Sequence, residues 1–147
     1  MGRGVGGDKS RPRGQWALTA FVDTNVLVRH LTGEPPEFAA RATAALASGR
    51  DLLLADLIVA ECIYVLESFY EVERGVVASC MRAAISMPSM KMIAEPVLLR
   101  ALEVYEEDRV DFAEAYLVAQ AETTGVGRIL SFDRSLDRVR SVQRIEA

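Results

Sequence analysis

The sequence predicts an α/β fold built on a parallel sheet that helices cover on both faces. Short apolar runs alternate along the chain with longer segments in which apolar residues recur at helical spacing. The short runs are continuously apolar, which is typical of strands buried on both faces of a parallel sheet. The chain has 147 residues, of which 50% are hydrophobic, enough for one core and too few for two ordinary domains.

Four or five short apolar segments are predicted to be strands. They are Leu18–Val22, Leu52–Ala55, Lys91–Ile93, Ile129–Phe132 and, as the optional fifth, Val142–Ile145. The first strand ends at Asp23-Thr24-Asn25, and the fourth is followed directly by Asp133. Because ligands of open parallel sheets bind beyond the carboxyl ends of the strands, these acidic residues are candidates for function.

Helices are predicted between and around these strands. They are expected at Val26–Leu31, Pro36–Ser48, Leu57–Tyr70, Glu73–Ile85, Pro96–Glu107 and Asp111–Thr123. Local signals mark their ends, since Pro36 suits a first helical turn and Gly49 suits the position after a last one. Likewise, Met87-Pro88-Ser89 is expected to stop the fourth helix.

Charge is distributed unevenly along the chain. Residues 1–17, rich in Gly and Arg, are expected to be a flexible tail preceding a domain at 18–147. The tail has a balance of +3 and the whole chain carries −4, so the remainder carries −7. An acidic body argues against a protein that grips nucleic acid mainly through Lys and Arg. It is compatible with carboxylates that meet phosphate through bound cations.

Several other classes of protein are disfavoured. No apolar run reaches membrane-spanning length and no secretory signal is apparent, so a cytoplasmic protein without membrane contact is expected. Cys62 and Cys80 lack the spacing of a zinc site and are expected to be reduced core residues. No glycine-rich phosphate loop follows the first strand. His30, which is the only histidine, is expected to pack or lie at the surface.

Five acidic residues are candidates for chemistry. Asp23 and Asp133 follow predicted strands, although Asp at such a position is also a common helix N-cap. Glu61 is predicted to lie in the buried stripe of its helix, where a carboxylate is costly unless it is paired or bound to metal. Asp111 and Glu114 lie three residues apart, on one side of a helix, and this spacing by itself favours a capping box.

The joint pattern indicates a metal site more strongly than any single residue does. If the sheet brings these acids together, their mutual repulsion requires cations. A set of oxygen ligands suits Mg²⁺ or Mn²⁺, which keep several waters and leave positions for phosphate oxygens. Such an ion would activate water for in-line attack at phosphorus.

The segment Phe21-Val22-Asp23-Thr24-Asn25-Val26-Leu27-Val28 resembles the opening strand and turn of PIN domains, especially those of VapC-type toxins. Three further segments occur in matching order along residues 18–147: LIVAECIYVLE, DFAEAYLVAQAETTG and ILSFDRSL. The resemblance implies a three-layer α/β/α sandwich with a central parallel sheet. It also implies a homodimer, Mg²⁺ or Mn²⁺ dependence, cleavage of single-stranded or structured RNA, and neutralisation by a small antitoxin protein.

The family's metal-binding acids correspond by position to Asp23, Glu61, Glu114 and Asp133, with Asp111 as an adjacent acid. Thr24 or Asn25, together with Ser131, would orient carboxylates or water by hydrogen bonds. The family usually has Asp where this chain has Glu114, and Thr where it has Ser131. Either Glu114 or Asp111 would therefore bind the metal.

Two other functions remain open. A phosphatase of the haloacid-dehalogenase-like kind would use Asp23 as a covalent nucleophile, but it carries a second Asp where this chain has Asn25. A catalytically silent nucleic-acid-binding module would have kept the fold and lost the metal, which the departure at Glu114 allows.

Overall fold

The predicted alternation of strands and helices is confirmed by the structure, a computed structural model that describes residues 19–147. The tail predicted at 1–17 and the first residue of the predicted strand, Leu18, lie outside the described residues. Within 19–147, no helix is both long and apolar enough to cross a bilayer.

The described part of the chain has six α-helices, at positions close to those predicted. They are α1 (Thr24–Thr32), α2 (Pro36–Ser48), α3 (Asp56–Ser68), α4 (Arg74–Ile85), α5 (Glu95–Glu107) and α6 (Phe112–Thr124). A short 3₁₀-helix follows at Arg134–Arg138. Gly33 ends α1 in a left-handed conformation, at φ 74°, and its N–H donates to the Arg29 carbonyl at 2.9 Å. Glycine adopts this conformation without the steric cost that a Cβ would bring.

The strands are short and all pair in parallel. They are β1 (Ala20–Phe21), β2 (Leu52–Leu53), β3 (Met90–Lys91), β4 (Arg128–Leu130) and β5 (Gln143–Ile145). The order β1-β2-β3 forms one sheet, in which Ala20 lies opposite Leu52 and Leu52 opposite Met90. β4 and β5 form a second, two-stranded sheet among the described residues. This mixed α/β arrangement is consistent with the expected α/β/α sandwich.

The strands are less buried than their apolar sequences predict. Phe21 is 76% exposed and Leu130 is also exposed, whereas Val22, Leu52 and Ile129 are buried. Among the described strands β1 pairs with β2 alone and β4 with β5 alone. Their side chains therefore have fewer neighbours than those of a central strand, and the prediction of burial on both faces is wrong for β1 and β4.

Helix packing places the beginning of α1 next to α3. α1 packs against both α2 and α3, while α5 packs most extensively against α6. The core includes Leu27 from α1, Cys62 and Ile63 from α3, and Leu102 from α5, all of them at most 1% exposed. Burial of such side chains is the main favourable term in folding. The candidate residues Asp23, at the start of α1, and Glu61, on α3, are thus held by neighbouring, well-packed helices.

Candidate active site

Asp23 lies at the carboxyl end of β1 and is the N-cap of α1. Its Oδ1 accepts a hydrogen bond from the Thr24 N–H at 2.9 Å, and its carbonyl accepts one from the Val26 N–H at 3.1 Å. The positive end of the helix dipole favours a carboxylate at this point. The capping role considered for Asp23 is therefore confirmed. This cap uses Oδ1 and does not involve Oδ2.

Thr24 connects Asp23 to the second predicted acid, Glu61. Thr24 is 8% exposed, and its hydroxyl donates to Glu61 Oε2 at 2.6 Å. Hydrogen bonds to an ionised carboxylate are short and comparatively strong. Because the N–H of Thr24 also donates to Asp23, one buried residue orients two carboxylates that are far apart in the sequence.

Glu61 is exposed, so its predicted place in the buried stripe of α3 is wrong. The buried positions of α3 are Val59, Cys62, Ile63 and Leu66. The apolar neighbours that suggested burial include Leu57 and Tyr64, which are themselves exposed. Since α3 is apolar on most sides, the spacing of its apolar residues does not reveal which side faces the core.

Asp23 and Glu61 line a single cavity of about 410 Å³. Asn25, Val28 and Val65 also line it, together with three residues that the sequence analysis did not single out: Arg29, Phe69 and Tyr70. The arginine is not close to the two rings in the sequence, because α1 supplies the arginine and both rings directly follow α3. Only the packing of α1 on α3 brings these side chains to one surface.

Glu114 lies in the first turn of α6, and its Oε2 is buried without a hydrogen-bond partner among the described residues. Asp111 is the exposed N-cap residue of this helix, but its side chain makes no capping hydrogen bond. The capping-box interpretation of this pair is therefore wrong. A buried carboxylate oxygen without a partner is costly, which makes Glu114 a candidate cation ligand.

Arg74 fixes the turn that precedes α6. Its guanidinium donates to the Tyr105 carbonyl at 2.8 Å and to the Val110 carbonyl at 2.7 Å. It also lies over the Tyr105 ring, at 4.4 Å from the centroid, as in a cation–π contact. The position of Asp111, the next residue along the chain, is thereby tied to α4 and α5.

Asp133 and Ser131 form a local turn after β4. The Asp133 N–H donates to Ser131 Oγ at 2.9 Å, and Asp133 Oδ1 accepts from the Ser135 N–H at 2.9 Å. The hydrogen bond from the Ser135 backbone, with one from its side chain, holds the pKa of Asp133 below its usual range. Asp133 thus caps the 3₁₀-helix, and neither it nor Ser131 lines the cavity of Asp23 and Glu61.

The predicted convergence of five acids is seen in this cavity only for Asp23 and Glu61. In the part of the chain that the structure describes, no three His, Cys, Asp or Glu side chains are grouped so as to hold a metal ion. Mg²⁺, however, is commonly bound through one or two carboxylates and keeps several waters. The two oriented carboxylates of Asp23 and Glu61 at an open cavity are a pair of oxygen donors that suits Mg²⁺ or Mn²⁺, whereas Glu114 does not line this cavity.

The remaining candidates have structural roles. Cys62 and Cys80 are free thiols, and Cys62 is fully buried. Burial, with smaller contributions from Cys80 and Glu61, raises the pKa of Cys62 to about 12, so its thiol stays protonated at neutral pH. His30 Nδ1 lies 2.8 Å from Thr43 Oγ1, which links α1 to α2. These observations agree with the roles predicted for Cys62 and His30.

Comparison with known proteins places this geometry in a family. A search of curated proteins finds no significant match. The family model described as PIN domain matches residues 20–142. This match covers most of the chain and includes every acidic candidate from Asp23 to Asp133. The chain therefore belongs to the PIN domain family.

Proposed function

We propose that this protein is a Mg²⁺- or Mn²⁺-dependent endoribonuclease that hydrolyses RNA phosphodiester bonds at the cavity of Asp23 and Glu61. PIN domains are generally metal-dependent nuclease domains that act on nucleic acids. The observation that carries the proposal is the Thr24 link, which holds the carboxylates of Asp23 and Glu61 at one open cavity.

Asp23 and Glu61 are the residues that would hold the metal ion. When bound, a divalent ion would neutralise their charge, polarise a phosphoryl oxygen and lower the pKa of water. Thr24 would keep both carboxylates oriented in the absence of the ion, so little rearrangement is needed for binding. Arg29, on the same cavity wall, supplies a cation that attracts the phosphate backbone.

Glu114 is proposed as a further ligand, because a cation would satisfy its buried Oε2. Asp111 and Asp133 remain proposed metal-site residues on the basis of the family pattern, and Asn25 and Ser131 remain proposed orienting residues. Asn25 has the additional support that it lines the cavity.

We further propose that the protein is the toxin component of a type II toxin–antitoxin module. In this role it would act in the cytoplasm as a homodimer and be neutralised by a small antitoxin protein. The support is the likeness of the segment around Asp23 to VapC-type toxins. A short neighbouring reading frame that encodes a DNA-binding protein would favour this role, and its absence would count against it.

One observation favours a second function, that of a catalytically silent nucleic-acid-binding module. The described residues contain no group of three metal-ligating side chains. Such a module would bind RNA, with or without Mn²⁺, and would not cut the strand. The two functions therefore differ in a single measurable property, which is cleavage.

Replacement of Asp23 by Asn tests the proposal. Asn is a good N-cap, so Asp23→Asn keeps the α1 cap while removing the negative charge. We expect the wild-type protein to cut total cellular RNA when Mg²⁺ or Mn²⁺ is added, and to stop when EDTA is added. We expect Asp23→Asn to lower the cleavage rate at least about 100-fold. Asp51→Asn, which changes an exposed acid outside the cavity, is the matched control.

Undiminished cleavage by Asp23→Asn would refute the assignment of the active site. Binding of Mn²⁺ and RNA by the wild-type protein without any cleavage would instead establish the silent module. Thermal melting of each variant shows whether lost activity comes from the site or from unfolding.

A further inference from the structure

We propose that Phe69 and Tyr70 form a subsite for an unpaired nucleobase of the RNA, beside the carboxylates of the same cavity. This inference rests on the proposed nuclease function and names the side chains that would hold a base of the substrate next to the point of cleavage. Phe69 and Tyr70 line the cavity that Asp23 and Glu61 also line.

The two rings present an aromatic surface in the cavity that also contains the carboxylates of Asp23 and Glu61. Phe69 is 78% exposed, and its ring meets that of Tyr70 edge to face, with centroids 5.2 Å apart and planes at 66°. Bases stack on exposed aromatic side chains regardless of sequence, because every base has a π face. The exposed Phe69 face therefore suits a nucleobase better than a purely polar group.

The backbone holds this aromatic pair in place. After α3 ends, the N–H groups of Phe69 and Tyr70 both donate to the Val65 carbonyl, at 3.0 and 3.3 Å. The next residue, Glu71, is left-handed at φ 53°, and the Val72 N–H then donates to the Leu66 carbonyl at 3.0 Å. A turn with these hydrogen bonds loses little conformational entropy when a ligand binds.

The size of the cavity and its single arginine, Arg29, suit one nucleotide. Arg29 lines it, and the Arg29 guanidinium also stacks on Phe38, 5.0 Å from the ring centroid. An arginine suits a phosphate next to the stacked base. The volume of about 410 Å³ lies at the lower end of the range for small-ligand sites. A base inside a duplex cannot turn its face to Phe69, so the subsite selects unpaired RNA.

The subsite is tested by measuring how tightly the protein binds a fluorescein-labelled single-stranded RNA oligonucleotide. Binding is detected as fluorescence anisotropy, in a buffer that contains Ca²⁺. Intact RNA is verified on a gel after each titration. We expect Phe69→Ala to weaken binding by about 5- to 160-fold, the range known for base–aromatic stacking. Phe69→Trp keeps an aromatic ring at this position and should bind the RNA as tightly as the wild-type protein does. Tyr64→Ala is the matched control, because Tyr64 is a 67% exposed aromatic residue of α3 that does not line the cavity.

A duplex of the same sequence should bind wild-type protein and Phe69→Ala equally. Wild-type affinity of Phe69→Ala for single-stranded RNA, with normal cleavage by the wild-type protein, would overturn the subsite and leave the nuclease intact. It would also be the outcome if Phe69 serves a protein partner. An equal loss of duplex binding would overturn the selection of unpaired RNA. Wild-type protein that neither binds nor cuts RNA would overturn both proposals. Phe69→Leu, which keeps apolar bulk without a π face, replaces Phe69→Ala if that variant fails to fold.

Discussion

Replacement of Glu114 by Met is expected to stabilise the metal-free protein. Glu114 Oε2 is buried without a partner among the described residues, and such a group costs about 1–3 kcal/mol. Because the residue as a whole is only half-buried, we expect the lower part of this range, about 1–2 kcal/mol. For a domain of this size that corresponds to a rise in Tm of roughly 3–10 °C. Met has a similar length and suits a helix, so packing should change little.

Divalent metal should reverse this order of stability if Glu114 is a ligand. A ligand at 100 times its Kd stabilises the folded state by about 2.7 kcal/mol, and Glu114→Met would lose most of that gain. Thermal melts followed by far-UV circular dichroism, in EDTA and in excess Mg²⁺, measure both effects. Glu122→Met is the control on the same helix, since both carboxylate oxygens of Glu122 accept hydrogen bonds from Arg100 at 2.9 Å. This substitution should lower the Tm in either buffer.

Two results would contradict this reasoning. If Glu114→Met is no more stable than the wild-type protein in EDTA, the unpartnered oxygen carries no cost. If Mg²⁺ raises the Tm of both proteins equally, Glu114 does not bind the metal.

Two further predictions concern hydrogen bonds to carboxylates. Thr24→Val removes the hydrogen bond to Glu61 and should lower the affinity for Mn²⁺, measured by calorimetry, by about 10- to 100-fold. Thr24→Ser keeps the hydroxyl and should bind Mn²⁺ as the wild-type protein does. Equal affinity of both variants would contradict the orienting role of Thr24. The hydrogen bond from Arg100 holds the pKa of Glu122 below its ordinary value of about 4.3. The ionised carboxylate therefore stabilises the fold fully above about pH 4.3, and this contribution is lost as the pH falls through the lowered pKa. Below about pH 4.3 the Tm of the wild-type protein should therefore fall more steeply than that of Glu122→Gln, and parallel falls would show that the pair adds no stability.

The helices could be predicted from the sequence because their signals are local. Pro36 and Gly49 bound α2 where expected, and the apolar spacing of α5 gave its position to within one residue. Strand pairing depends instead on residues distant in the chain. The apolar pattern therefore could not predict that the described strands form two sheets or that Phe21 is exposed.

The site was predictable in part for the same reason. Asp23 follows a strand, so its position was evident from its neighbours in sequence. The presence of Glu61 beside it was expected from the family pattern, but the exposure of Glu61 was not, because α3 is apolar on most sides. Arg29 belongs to α1 and Phe69 directly follows α3, so only the packing of α1 on α3 brings them together.

The cap observed at Asp23 is compatible with the metal binding proposed for it, although the sequence presented the two roles as alternatives. The cap occupies Oδ1 and fixes the carboxylate plane, while the hydroxyl of the same Thr24 fixes Glu61. The positive end of α1 also lowers the repulsion between the two carboxylates before any cation binds. Under the proposed function, folding of the α1 N-terminus would therefore arrange Asp23 and Glu61 before a metal binds. A substitution that keeps the Asp23 cap but removes the Thr24 hydroxyl should therefore disturb the site more than it disturbs the fold.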